Sequence, residues 1–457
     1  MKCHDLRSFL KELETAGELV RVSASLSPQY EVAAAINMIA QKQGKAVLLE
    51  KVTGYHIPVV GNLLGNMRRL AIAMDVSEAD LPAAYLEGRN KPVKPKIIAS
   101  GPVQEVVIDN KIDILGTMPV LTHHQKDAGP YFTCAFVVAK DPETGVRGLG
   151  IHRIQVKGPD TLGILLASPP LSHFLTRAEE KDRPLEIAIV SGADPLTYFT
   201  SPQVIPVGTD KYDIAGGLAK APIELVKCQS VDVEVPAYAE FVLEGYVLPH
   251  QREKEGPFGE TTGYYITANS PVAKITAITH RRNPIYHALV PIGPEGRVLS
   301  LPRFQVEILA WLQGILPPVR QLHFPTHGVA YVQIEKQTEN DARVAINALF
   351  SRTIAPFPKI VLVVDTDVDI MNPEDITWVL GSRVRPDKDI IIQSDLPGHI
   401  IDPSSRDRQE IGEFSQQRTI TAKIGIDATK PSGEQDHYEK IDVPPEVKLK
   451  VARLLGL

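Results

Sequence analysis

Two acidic residues five positions apart, in the segment Glu255-Gly-Pro-Phe-Gly-Glu260, lie well downstream of an arginine in Gly150-Ile-His-Arg153. A Gly-Pro/Gly bridge holds such carboxylates on a tight bend. A buried arginine between them would hold one ionised and leave the other to carry a proton, as acid–base chemistry at neutral pH requires. Read alone, the hexapeptide favours an exposed acidic turn. Arg153 sits in the strand-like run Ile151-His-Arg-Ile-Gln-Val156, flanked by Ile151 and Ile154. Facing inward it must be paired, and its planar fork suits a carboxylate, either a substrate's or that of Glu255. Facing outward it is a solvated arginine on an edge strand.

Other motifs carry less. Asp365-Thr-Asp-Val-Asp369 has Ile370 and Ile376 where a calcium loop needs Gly and Glu, so it reads as a surface turn or an interface. Gly148-Leu-Gly-Ile-His152 has no third glycine and leads into a strand, so it is not a dinucleotide fingerprint. No Walker A sequence and no Gly-x-Ser-x-Gly elbow is present. His123 and His124 are adjacent on an extended stretch, where side chains face opposite ways. A core or surface role is therefore expected in place of a shared metal site.

Positioning such residues takes a large frame. At 457 residues, with 43% hydrophobic and 23% charged residues, the chain suits two or three globular domains. A net charge of −6 argues against nucleic-acid binding. Cys3, Cys134 and Cys228 are scattered singly, which is neither a disulfide framework nor a zinc pattern and fits a reducing cytosol. The N-terminus reads as an amphipathic helix with Asp5 as N-cap and Leu6, Phe9, Leu10 and Leu13 as its apolar stripe. It has no signal-peptide core, and no run approaches a membrane span, so a soluble cytoplasmic protein is expected.

Residues 1–115 read as an α/β domain, with Lys91-Pro-Val-Lys-Pro-Lys96 as a linker. Short strands then recur between Gly and Pro: Phe132–Ala139, Gly150–Val156, Leu185–Val190, Ala239–Val247, Ala273–His280 and Pro284–Val290. That density suggests a barrel or sandwich. From about residue 300 the α/β pattern returns, with a strand Lys359–Val364 and a closing helix over 444–455. No internal repeat or low-complexity tract occurs.

The order of segments resembles the UbiD family of prenylated-flavin-dependent (de)carboxylases over essentially the whole chain. The matching segments are Pro119-Val-Leu-Thr-His-His124, Ala128-Gly-Pro-Tyr131, Gly150-Ile-His-Arg-Ile-Gln155, Ile214-Ala-Gly-Gly-Leu218 and Glu224-Leu-Val-Lys-Cys228. They continue through Val235-Pro-Ala-Tyr-Ala-Glu240, Glu255–Glu260, Pro284-Ile-Tyr-His287, Val364–Asp369 and Lys423-Ile-Gly-Ile-Asp427.

The resemblance implies an N-terminal α/β domain (1–115), a central flavin-reductase-like split β-barrel (116–298) and a C-terminal α/β oligomerisation domain (299–457). The active site would lie between the last two. It implies a catalytic triad of Arg153, which engages the substrate carboxylate, Glu255, which orients and charge-balances it, and Glu260, which donates the proton after carbon dioxide leaves. Prenylated FMN, made by a separate flavin prenyltransferase, would be held by Ile151, His152, Arg153, Gln155, Pro170 and Lys227. The family's divalent ion, usually manganese, is bound with the flavin phosphate through an Asn, a His and a Glu, and a potassium ion accompanies it. Here the Asn position is Gly148, only His173 is available in Ser168-Pro-Pro-Leu-Ser-His173, and the acid falls near Asp213. Loss of donors should weaken metal binding.

The implied activity is decarboxylation, in either direction, of an aromatic, heteroaromatic or α,β-unsaturated acid by a homo-oligomer, dimer or hexamer. His287, Arg297, His323 and His327 are polar candidates for the substrate pocket. Two alternatives stand beside it: a catalytically silent or assembly subunit that no longer holds metal and flavin, and a module using ordinary flavin for redox work.

Overall fold

Asp5 ends an extended stretch and opens the helix Leu6–Thr15: its carboxylate accepts the Ser8 N–H at 2.7 Å, and the Ser8 hydroxyl oxygen accepts the Asp5 N–H in return. Leu6, Phe9, Leu10 and Leu13, spaced to share one helical face, are buried, as the apolar stripe predicts. The computed structural model describes residues 2–203, 205, 208–299, 303–326, 328–352, 358–398, 401–405, 420–441 and 443–456. By internal contacts the chain divides into two units, Met1–Val306 with Ile400–Arg418, and Glu307–His399 with Thr419–Leu457.

The first unit holds three sheets. A four-stranded sheet runs Leu19–Leu26, Ala46–Val52, Val59–Gly61, Tyr286–Ala288. Its last strand comes from far along the chain, so the run Pro284–Val290, read from the sequence with the barrel strands, pairs in parallel with Val59–Gly61. The second sheet has nine strands, and its pairings are antiparallel. Its centre is a long hairpin, Phe241–Gly259 with Tyr265–His280. Leu185–Ser191, Phe136–Lys140 and Arg147–Ile151 continue it on one side, and Thr161–Ile164, Ile154–Val156 and Tyr131–Phe132 on the other. Ile154, Leu162, Ile187, Leu243 and Ile275 from these strands pack into one core, which fixes the face each strand presents.

A three-stranded sheet, Glu234–Pro236, Glu224–Lys227 and Lys96–Ile97, takes up the end of the segment read as a linker. Two helices meet beside it. A side chain on Gly217 would come within 2.1 Å of the Gly88 carbonyl, and one on Gly216 within 2.4 Å of the Val93 carbonyl. The Gly-Gly pair of the Ile214–Leu218 segment is therefore a packing device that lets Lys211–Ala219 lie against Leu81–Asn90.

In the second unit a five-stranded sheet runs Val319–Thr326, Val329–Ile334, Ile360–Asp365, Ile420–Ala428, Ile390–Pro397. Arg383 bonds Asp365 at 3.4 Å and Asp367 at 2.6 Å, and Lys430 reaches Asp367 at 2.9 Å. These acids are thus engaged by cations of their own unit. No helix among the described residues is long and apolar enough to cross a membrane.

Candidate active site

In an uninterrupted strand, residues five apart point to opposite faces. Glu255 and Glu260 escape this rule because of a bulge. Glu255 pairs with Ala268, but Phe258 pairs with Ile266 and Gly259 with Tyr265, so one extra residue enters the strand between 255 and 258. The hexapeptide is consequently the bulged end of a long strand, where the sequence suggested a free-standing turn. Gly256 carries the bulge at φ +94°, and a side chain there would meet the Ile266 carbonyl at 2.6 Å. The phase change brings both carboxylates to one arginine.

Arg153 follows the strand Arg147–Ile151, and its side chain is 6% exposed. Nε and Nη2 donate to Glu255 Oε2 at 3.0 and 2.6 Å, and Nη1 donates to Glu260 Oε1 at 2.6 Å. Burial works against the charged guanidinium, but the two carboxylates outweigh it and raise its pKa, so Arg153 is a permanent cation. Tyr131 donates to Glu255 Oε1 at 2.7 Å and Ser270 to Oε2 at 3.3 Å. Burial and the Glu255 charge both push the Tyr131 phenol upward, so it stays a proton-bearing donor. Glu255 is fully buried, whereas the Glu260 side chain keeps 14% of its surface. Of the two carboxylates, Glu260 is the one reachable by a small molecule or by water. The Phe258 ring lies 5.4 Å from the guanidinium and 4.3 Å from the Tyr131 ring, closing one side with apolar surface.

Two side chains hold the bulge in place. Gln155 accepts the Gly256 N–H at 3.2 Å and donates to Ala128 O at 3.3 Å. Asp127 accepts the Gly259 N–H at 2.9 Å on one oxygen and the His124 N–H at 2.8 Å on the other. Burial would push the Asp127 carboxyl up, but these bonds and His124 hold it below the usual range. The His123 and His124 rings lie 6.2 Å apart, and His123 packs its edge on Phe258. The expectation that they face opposite ways therefore fails, because the 123–127 turn curls around the Asp127 carboxylate instead of running extended. Tyr131, Ser270, Phe258 and Asp127 were not singled out in the sequence. Phe258 within Glu255–Glu260 and Tyr131 within Ala128–Tyr131 carried the only signals for them.

His152 is buried, and its Nδ1 donates to Leu165 O at 2.9 Å, which leaves Nε2 unprotonated. Burial lowers both His123 and His152 from 6.5 to about 4. Each is neutral in the folded protein, while the unfolded chain takes up a proton near 6.5. Their contribution to stability is complete above pH 6.5 and is lost as pH falls toward 4. From pH 7 to 5 this is about 2 kcal/mol per histidine. Buried Asp194, raised to about 6, acts in the opposite sense over part of that range. The expected result is a urea midpoint that falls less between pH 7 and 5 in His123→Gln than in the wild type. Equal falls would refute the assignment.

Comparison with known proteins agrees with this geometry. The models for the N-terminal, Rift-related and C-terminal domains of 3-octaprenyl-4-hydroxybenzoate carboxy-lyase, the UbiD domains, match residues 10–87, 96–294 and 304–428. The chain belongs to the UbiD family. It is a UbiD-class carboxy-lyase, and its curled sheet is that family's half-barrel. Anhydromevalonate phosphate decarboxylase of Methanosarcina mazei is 33% identical over 450 residues, 96% of this chain and 99% of its own. The UbiD-class enzyme HmfF of Pelotomaculum thermopropionicum, in complex with FMN, superposes with a TM-score of 0.90 at 39% identity over 98% of this chain and 100% of its own. Its evolved dimeric form, in complex with prFMN, gives 0.86 at 37% identity over 99% and 100%. Vanillic acid decarboxylase ShVdcCD of Sedimentibacter hydroxybenzoicus in open form gives 0.84 at 31% identity over 99% of each chain.

The UbiD frame sharpens the remaining candidates. Ile151 and Pro170 are half-buried, and Lys227 is exposed on the three-stranded sheet. His173 is exposed on the helix Leu171–Glu179, and Asp213 is half-buried on Lys211–Ala219. Among the described residues no three His, Cys, Asp or Glu side chains gather as a metal would need. Gly148 is closed as well: a side chain there would meet Phe174 at 2.6 Å and Pro170 at 2.7 Å. The donors for a divalent ion therefore do not fit, and His173 with Asp213 does not make a metal centre. Gly148→Asn is expected to lose about 1–3 kcal/mol through overpacking and to gain no manganese, as thermal melts and metal analysis would show. His287 is buried with its Nε2 3.8 Å from Glu295, and Arg297 is exposed. His323 lies in the second unit on Val319–Thr326, and His327 falls outside the described residues.

Proposed function

We propose that this protein is a prenylated-FMN-dependent decarboxylase of an aromatic, heteroaromatic or α,β-unsaturated carboxylic acid, with Arg153, Glu255 and Glu260 as its acid–base machinery. The observation that carries the reading is one buried guanidinium shared by two carboxylates of unequal exposure, 0% for Glu255 and 14% for Glu260. A silent subunit would have no use for that asymmetry. Residues beside the strand Arg147–Ile151 fit the flavin: Ile151 and Pro170 offer apolar surface, His152 is neutral, and the Lys211 ammonium bonds Leu149 O at 2.5 Å.

When bound, the prenylated flavin supplies the electron sink that makes loss of carbon dioxide feasible. Arg153 pairs with the substrate carboxylate and fixes its carbon–carbon bond at the reacting centre. Glu255, saturated by Arg153, Tyr131 and Ser270, keeps the guanidinium in place and balances its charge. Phe258 and Tyr131 exclude water from that side. As the carbon–carbon bond breaks, the electron pair remains with the substrate fragment. The Glu260 O–H then breaks and a C–H bond forms at the carbon the carboxylate has left, after which Glu260 regains a proton from solvent.

The test is co-expression with a flavin prenyltransferase, anaerobic purification and a screen of unsaturated acids for carbon dioxide release. Turnover that requires the modified flavin supports the reading. Purified protein that binds modified flavin yet decarboxylates none of these acids would favour an assembly subunit. Nicotinamide-driven turnover with ordinary flavin would favour redox work.

A further inference from the structure

We infer that a cavity at the end of the three-stranded sheet, lined by the Asp194 carboxylate, binds a small organic cation: a primary amine carried on a short apolar body. The cavity has a volume of about 340 Å³, at the small end of the range for small-molecule pockets. Ala221, Pro222, Ile223 and Pro236 give it apolar walls, and the rings of His4 and Tyr238, edge to face with centroids 5.5 Å apart, complete them. Its place follows from the fold. Ala221 and Pro222 leave the helix Lys211–Ala219 and lead into the strand Glu224–Lys227, which pairs with Glu234–Pro236. Asp194 enters from the start of the helix Pro195–Thr200, which it caps. Arg153, Glu255 and Glu260 do not line this cavity, so it is a second site.

The charges around the cavity choose the ligand. Glu224 accepts the Tyr238 O–H at 3.0 Å and the Lys96 ammonium at 3.4 Å, so Glu224 and Lys96 match one another. His4 turns its Nε2 to within 3.9 Å of Asp5. Asp194 is different: it is 3% exposed, and no Lys, Arg or His among the described residues lies within ion-pair distance of it. Its Oδ1 accepts the N–H groups of Leu196 and Thr197 at 3.2 and 2.9 Å. These dipoles, with the Thr197 hydroxyl, lower its pKa, but burial outweighs them and lifts it to about 6, so at pH 7 the group is largely ionised. A buried carboxylate without a counter-charge is costly until a cation meets it. Oδ1 takes both helix N–H groups, which leaves lone pairs on Oδ2 for an ammonium. The Tyr238 ring offers the same cation an aromatic face. An anionic ligand would meet the carboxylates of Asp194 and Glu224. A bare metal ion would find no cluster of three ligands among the described residues and would leave the apolar walls unused.

The test is calorimetric titration of the purified full chain at neutral pH with phenethylamine and isopentylamine, and with phenethyl alcohol and isopentyl alcohol, which share their bodies and lack the charge. Each amine is expected to bind about 10–100-fold tighter than its alcohol, the gain of a hydrogen bond to a charged group. In Asp194→Asn that advantage should vanish. Asn caps a helix as well as Asp does, so Pro195–Thr200 should persist. Ala221→Leu, which fills the cavity and leaves the carboxylate in place, should weaken amines and alcohols alike. Failure of both amines to bind, equal affinity for amine and alcohol, or an amine preference that survives either substitution overturns the inference. The decarboxylase reading stands or falls separately, because it rests on Arg153, Glu255 and Glu260. The comparison of amine with alcohol needs no variant, so it decides the matter even if Asp194→Asn does not fold.

Discussion

Glu260→Gln is expected to lower kcat by about 1,000-fold or more, in the range that removal of a positioned general acid produces, while flavin content and thermal stability stay at wild-type values. The amide can still accept the Arg153 Nη1–H that Glu260 Oε1 accepts at 2.6 Å, so the guanidinium need not move. It cannot deliver a proton at neutral pH. Glu260 is also the partly exposed member of the pair, at 14%, so the substitution strands no fully buried charge. Carbon dioxide release should be affected together with incorporation of solvent deuterium into the product. A variant that decarboxylates at the wild-type rate would remove Glu260 from the mechanism.

Arg153→Met should have the largest effect on the fold as well as on the reaction. Turnover should be lost, since no other cation is proposed to engage the substrate carboxylate. The Glu255 carboxylate would remain fully buried with only Tyr131 and Ser270 as hydrogen-bond donors. Removing one partner of a buried ion pair costs about 3–5 kcal/mol because the other is left uncompensated. Urea denaturation should show this loss, and the double variant Arg153→Met, Glu255→Met should recover most of it while staying inactive. A double variant no more stable than Arg153→Met would mean that the pair is not the origin of the loss.

Flavin content should stay at the wild-type value in Glu260→Gln. An inactive Glu260→Gln protein that retains modified flavin therefore separates the chemical step from cofactor capture.

Much of this was legible in the sequence, and the reason is local. The Leu6–Thr15 helix follows from an N-cap and a 3.6-residue stripe, and both lie within ten consecutive residues or beside them. The strands Leu185–Ser191 and Ile360–Asp365 follow from short apolar runs bounded by turn residues. The order of segments identified the family, and its resemblance pointed to Arg153, Glu255 and Glu260. A run such as Pro284–Val290 reads as a strand for the same local reason, but no local signal names its partner, and it pairs with Val59–Gly61.

What the tertiary structure alone decided is which side chains share a face. Glu255 and Glu260 reach the same guanidinium because the strand gains a residue against its partner between Glu255 and Phe258, and register belongs to the pair of strands and not to either one. His123 and His124 approach each other because the Asp127 carboxylate gathers the backbone of both. Gly148, a missing ligand on paper, proved to be a closed position. Lys211, a lysine without a motif, proved to be buried and bonded 62 residues away to Leu149. Sequence periodicity records which residues must be buried. Charge partners chosen across tens of residues leave no period in the chain, so only the packed structure reveals them.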